Sequence, residues 1–162
     1  MHATDAFVLK KLDIGEADVL YALYTRDFGK VVARAQGIRK NEAKLRGHLE
    51  PFSLSVVRLI SARHGEKLIG ASLVRFGERM RSRDATLRLA AYVAARLDEH
   101  CFAGERDPAL WRLADAAFRA LDSHEFSEDA EALFRKEFDT NLSLCLGHGD
   151  GDDDGKSYDD AV

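Results

Sequence analysis

The segment GKVVARAQGIRKNEAKLRGHLEPF, residues 29–52, decides the fold of this chain. Its first part alternates. Val31, Ala33 and Ala35 point one way, and Val32, Arg34 and Gln36 the other, which is the period of a half-buried strand. Gly37 closes that strand. An 11-residue polar connection, Ile38 to His48, follows before Pro51 opens the next one. Proline is tolerated at a strand start or on an edge.

Working outward, two further strands are predicted before this segment, Phe7–Leu12 and Val19–Thr25. Two more follow from Pro51 onward, Phe52–Ile60 and Lys67–Phe76. Turns around Gly15, at Asp27-Phe28-Gly29 and around Gly65 separate them. Five evenly spaced strands in the first 76 residues predict a small closed barrel. A long connection between the third and fourth strands is the OB pattern, although an SH3-like barrel fits the spacing nearly as well.

After Gly77 the period changes from two to 3.6. Leu87, Ala90, Ala94, Leu97 and Cys101 recur at steps of three and four, one face of a helix. Asp107-Pro108 supplies an N-cap carboxylate and a proline at the first helical position of a second helix, whose apolar line is Leu110, Ala114, Ala117 and Leu121. Ser127 caps a third, with Ala130, Phe134, Phe138 and Leu142 inward. The expected fold class is therefore α+β: an N-terminal five-stranded OB-type β-barrel over residues 1–80, then a three-helix C-terminal region over 81–146. From Gly147 the chain is mostly Gly and Asp, and residues 147–162 read as a disordered acidic tail.

Apolar residues make up 46% of the chain, enough for a core. No run of roughly 18 apolar residues is present, and the first residues lack a signal-peptide pattern, so no membrane span and a cytoplasmic protein are expected. Cys101 and Cys145 fall on apolar stripes and in no C-x-x-C pair, so buried free thiols are expected rather than zinc ligands.

The net charge of −4 hides an asymmetry. Residues 1–83 carry 16 Lys and Arg against 9 Asp and Glu, a net of +7, whereas residues 84–162 sum to −11. One half attracts polyanions and the other repels them. Arg39, Lys40, Lys44 and Arg46 crowd eight residues of the long connection, and Lys30 and Arg34 precede them with matching parity on the third strand. Such a cluster is what a phosphate backbone needs, since each contact releases condensed counterions. Tyr21, Tyr24, Phe28 and Phe52 are the barrel aromatics available either for base stacking or for the core. The tyrosines are the candidates for stacking, because a hydroxyl prefers a wet edge, and core packing is the reading for Phe28 and Phe52. His48 and His64 are expected on solvated loops.

Gly15-Glu-Ala-Asp18, Thr25-Arg-Asp-Phe-Gly-Lys30, Gly37-Ile-Arg-Lys40, Lys44-Leu-Arg-Gly-His-Leu-Glu-Pro-Phe52 and Gly65-Glu-Lys-Leu-Ile-Gly70, in this order and spacing, resemble the N-terminal domain of the RecO family of DNA repair and recombination mediators. The resemblance extends weakly into the helices. It implies an OB-fold and a helical domain, binding of single- and double-stranded DNA, strand annealing, contacts with RecR and single-strand-binding protein, and help in loading RecA. Family members are typically longer, and many carry a four-cysteine zinc module in the helical region. The expectation here is a short form without that module or the later helices.

The expected function is thus a non-enzymatic DNA-binding and annealing factor without cofactor or metal. Lys30, Arg34, Arg39, Lys40, Lys44 and Arg46 would contact phosphates, and Tyr21 or Tyr24 would stack on bases. A protein-interaction adaptor and an RNA-binding OB module are the alternatives, and a nuclease is remote because no carboxylate cluster accompanies the cations. Asp27-Phe28-Gly29 lacks every other kinase element and reads as a turn. Asp150, Asp152, Asp154 and Gly155 match part of a calcium loop, but Ala161 stands where a bidentate Glu belongs, so a solvated tail is expected that competes with phosphate for the cations.

Overall fold

The computed structural model of the chain describes residues 1–37 and 45–147. Five strands, β1 (His2–Ile14), β2 (Asp18–Thr25), β3 (Gly29–Ala35), β4 (Leu54–Ala62) and β5 (Gly65–Arg75), close into a barrel in the order β1-β2-β3-β5-β4. β4 pairs back on β1, and β3 meets β5 in parallel through two residue pairs, Ala33 with Glu66 and Arg34 with Lys67. This order is the OB arrangement and resolves the choice between OB and SH3-like barrels. A 3-10 turn over Arg46–His48 lies between β3 and β4.

Four helical elements follow among the described residues. They are a single turn, α1 (Glu78–Arg81), then α2 (Asp84–His100), α3 (Pro108–Ser123) and α4 (Glu128–Cys145). The two helix starts read from sequence are built as expected. The Asp107 carboxylate accepts from the Leu110 N–H at 3.0 Å, and the Ser127 hydroxyl accepts from the Ala130 N–H at 3.3 Å. No helix among these residues is long and apolar enough to cross a membrane.

Side-chain alternation splits β1 and β2 between two cores. Ala6 and Val8 of β1, with Val19, Tyr21 and Leu23 of β2, fill the barrel. Phe7 and Leu9, with Ala22 and Tyr24, face outward into a second core shared with the helices. In that core Phe7 lies 4.9 Å from both the Trp111 and Phe118 rings of α3, and Tyr24 lies 5.5 Å from Trp111. Truncating a buried aromatic of this kind costs about 3–5 kcal/mol. The expected boundary at residue 80 therefore falls within continuous packing, since α1 buries Met80 in the same cluster.

A second link ties the halves together. The α2–α3 connection runs beside the β2–β3 turn, where the Lys30 N–H donates to the Phe102 carbonyl at 3.1 Å and the Gly104 N–H to the Phe28 carbonyl at 2.9 Å. Gly29, between them, has φ 65° and pairs with Ala103. A Cβ here would meet the Phe102 carbonyl oxygen and come within 2.6 Å of that of Glu105, so only glycine fits.

Several expectations are corrected. β1 starts at His2, not Phe7, because its first residues pair with β4. β4 starts at Leu54, not Phe52. Phe52 sits in a turn at φ 72°, with its N–H donating to the Val8 carbonyl at 2.7 Å. On α2, Leu87 is 36% exposed, and Leu89 and Val93 are buried instead with Ala90, Ala94 and Leu97. Cys101 is buried, but Cys145 is only half-buried. His48 is not a free loop residue, because its Nδ1 accepts from the Leu73 N–H of β5 at 2.9 Å and its carbonyl accepts from the Ser55 hydroxyl. His64 is exposed on the β4–β5 hairpin.

Candidate nucleic-acid interface

The outer face of β3 presents Lys30, Val32 and Arg34, which confirms their shared parity. Both cations are already paired. Lys30 lies 2.7 Å from the Asp98 carboxylate of α2 and donates to the Asp98 carbonyl at 2.8 Å, while Lys10 holds the same carboxylate at 2.9 Å. Burial pushes the Asp98 carboxyl up, but the two lysines outweigh it and hold it below the ordinary carboxylate value. Lys30 thus fastens the barrel to α2 and is poorly placed to be a free phosphate contact.

Arg34 is more available. Its side chain is half-exposed, and its Nε donates to Asp18 across the β2–β3 pair at 2.9 Å. The other Asp18 oxygen accepts from the Gly37 N–H at 2.9 Å, and that bond, followed by Arg34, depresses the Asp18 carboxyl. One carboxylate therefore fixes both the cation and the point at which the chain leaves β3. Arg39, Lys40 and Lys44 lie beyond that point, outside the described residues, and so does the side chain of Arg46. The acidic tail from His148 onward is likewise outside them.

Sequence reasoning missed the partners of Arg34. The parallel β3–β5 pairing sets Lys67 beside Arg34, and the β4–β5 hairpin adds Arg63 and His64. With Gln36 and Glu66 these residues line a pocket of about 170 Å³. Arg63-His64 reads locally as a solvated turn. Only the β5-beside-β3 order brings it to the face that carries Arg34.

The tyrosines are not placed to stack on bases. Tyr21 is 2% exposed inside the barrel, and Tyr24 is 2% exposed under α3. Burial raises the Tyr24 hydroxyl well above its ordinary value. The reverse holds for Phe28, expected in the core but 36% exposed, with its ring 5.0 Å from that of His2. Among the described residues, no three His, Cys, Asp or Glu side chains come together in a way that could hold a metal.

Comparison with known proteins gives a consistent result. Residues 1–76 match the family model described as recombination protein O N terminal. The chain is 33% identical over 154 residues to the DNA repair protein RecO of Myxococcus xanthus, covering 88% of this chain and 63% of that protein. It is 30% identical over 146 residues to the protein of the same name from Geobacter metallireducens, covering 90% of this chain and 58% of the relative. A third, from Rubrobacter xylanophilus, is 29% identical over 148 residues, with 91% and 58% covered. The chain thus spans about three-fifths of the length of these relatives. The matched barrel, its strand order and the continuation of the similarity through the helices make one case: residues 1–76 match the RecO N-terminal domain, and the chain is similar to RecO proteins from there through its helices.

Proposed function

We propose that this chain serves DNA repair and recombination by binding single- and double-stranded DNA along the β3 face and the β4–β5 hairpin, and by promoting the annealing of complementary strands. The observation that carries this reading is the convergence of Arg34, Arg63, His64 and Lys67 on one pocket at the point where the chain turns into the segment bearing Arg39, Lys40 and Lys44. OB barrels commonly bind oligonucleotides across this face and this hairpin. A cationic surface screens two polyanionic strands so that they approach and pair, and no bond is made or broken. The protein acts without enzyme chemistry, metal or cofactor, in the cytoplasm. The relatives' names, DNA repair protein RecO, support the same role. Contacts with RecR and single-strand-binding protein, and help in loading RecA, belong to this proposal as well.

Titration of labelled single-stranded DNA at two salt concentrations tests it. With about four phosphate contacts, the log–log salt slope is expected near −3. Arg63→Ala and Lys67→Ala should each reduce that slope by about one contact, and a parallel titration with RNA tests the alternative ligand. A flat salt response, or no binding at low salt, would refute the proposal.

A further inference from the structure

The barrel wall has a gap beside the cationic pocket. The pairing of β3 with the Phe102–Gly104 segment ends at Lys30, and its pairing with β5 begins at Ala33. Val31 and Val32 lie between the two. There the wall opens into a notch of about 330 Å³, at the small end of ligand-sized cavities. Its sides are mainly apolar: Phe28, Val31, Val32 and Leu59, with the His2 ring beside Phe28.

One polar group stands out in this lining. Glu66 borders both the notch and the cationic pocket. Its Oε1 accepts from the Ser61 hydroxyl at 2.7 Å, whereas its Oε2 is buried without a hydrogen-bond partner among the described residues. A buried carboxylate oxygen is costly to leave unpaired. An N–H donor delivered into the notch would meet that need after a small rotation of the side chain.

An apolar slot with an aromatic wall, an acceptor at its base and cations next door matches one kind of ligand. That ligand is planar with apolar faces, carries N–H donors on its edge and is attached to an anion. We propose that the notch takes a single unstacked nucleobase of a bound strand, packed on Phe28 and donating to Glu66, while Arg34, Arg63 and Lys67 hold the adjoining phosphate. This inference rests on the nucleic-acid reading above and adds a base site to it.

The chemistry also sets a preference. A carboxylate only accepts hydrogen bonds. Cytosine offers its N4 amino group and adenine its N6, whereas thymine has a carbonyl at the corresponding position and its one edge donor, N3–H, is flanked by two carbonyl oxygens that a carboxylate repels. The site therefore favours amino-bearing bases over thymine, a bias in composition rather than recognition of a sequence.

The test uses the full chain with labelled oligo(dC) and oligo(dT) of equal length, at neutral pH and low salt. Wild type is expected to bind oligo(dC) about tenfold more tightly, the lower end of what one hydrogen bond to a charged acceptor is worth. Glu66→Gln should bring that ratio close to one, because an amide serves either base. Phe28→Ala should weaken both complexes about tenfold and leave the salt slope unchanged, because it removes stacking and no phosphate contact. Equal affinities for the two oligomers in wild type, or a ratio unmoved by Glu66→Gln, would overturn the base site and leave salt-dependent binding standing. Absence of salt-dependent binding to either oligomer would overturn the nucleic-acid reading as well.

Discussion

Asp98 shows how one residue both shapes the candidate face and limits it. It draws in Lys30 and Lys10, so two of the barrel's cations are neutralised by a helix carboxylate. The pairing also makes stability depend on pH. The folded-state carboxyl is depressed, so its contribution is complete above the unfolded value of about 3.9 and is lost as pH falls through the folded value. Asp98→Asn should therefore destabilise the protein by about 1 kcal/mol at neutral pH, the range of a solvent-screened pair. Urea melts of the two proteins should converge as the pH falls below both the unfolded and the folded carboxyl values. A difference that persisted in acid would mean that Asp98 acts through packing rather than charge. Arg34 differs from Lys30 in this respect. Its partner Asp18 sits on the neighbouring strand and leaves the guanidinium half-exposed, oriented by that bond but not covered.

Among the elements, legibility depended on how many faces each one buries. β3 has one covered face, and its alternation from Val31 gave both its position and its outward cations. The helix starts at Asp107 and Ser127 were legible because capping is local chemistry. β1 and β2 are buried on both faces, so their apolar runs indicated strands but not which residue met which core. Tyr21 and Tyr24 illustrate the cost. Three positions apart on a strand, they must point to opposite faces. Parity alone thus excluded a shared stacking surface, but it could not say that α3 covers the second face. The stripe of α2 failed differently. Leu87 fits the period as well as Leu89 does, and only the packing of α2 on β1 selects between them. The Arg63-His64 hairpin could not be placed at all, because parallel contact between β3 and β5 is a long-range fact.

For the molecule as a whole, the shared core has a measurable signature. The chain has one tryptophan, Trp111, and it packs on Phe7 of β1 and Tyr24 of β2. Its fluorescence reports the seam between helices and barrel, while far-UV circular dichroism reports secondary structure throughout. Because the barrel and helices bury each other's aromatics, both probes should follow one denaturant transition with a common midpoint. A fluorescence change that preceded the loss of dichroism would show that the helices detach from a barrel able to stand by itself.

The closure of the barrel between β3 and β5 has a consequence of its own. A hoop opens first at its clasp, and this clasp is two residue pairs long among the described residues. Arg34 stands on one side of it and Lys67 on the other. An oligonucleotide that grips both cations rivets the clasp, so occupancy and closure become one linked equilibrium. Ligand at a hundredfold excess over its Kd would add about 2.7 kcal/mol against opening. Hydrogen exchange at Ala33–Ala35 and Glu66–Leu68 should therefore slow on DNA binding more than exchange along the β1–β2 pair. Uniform slowing would mean that the bound strand rests on the wall without bridging the join. In the riveted case the DNA becomes a working part of the ring, and the empty protein is the one that breathes.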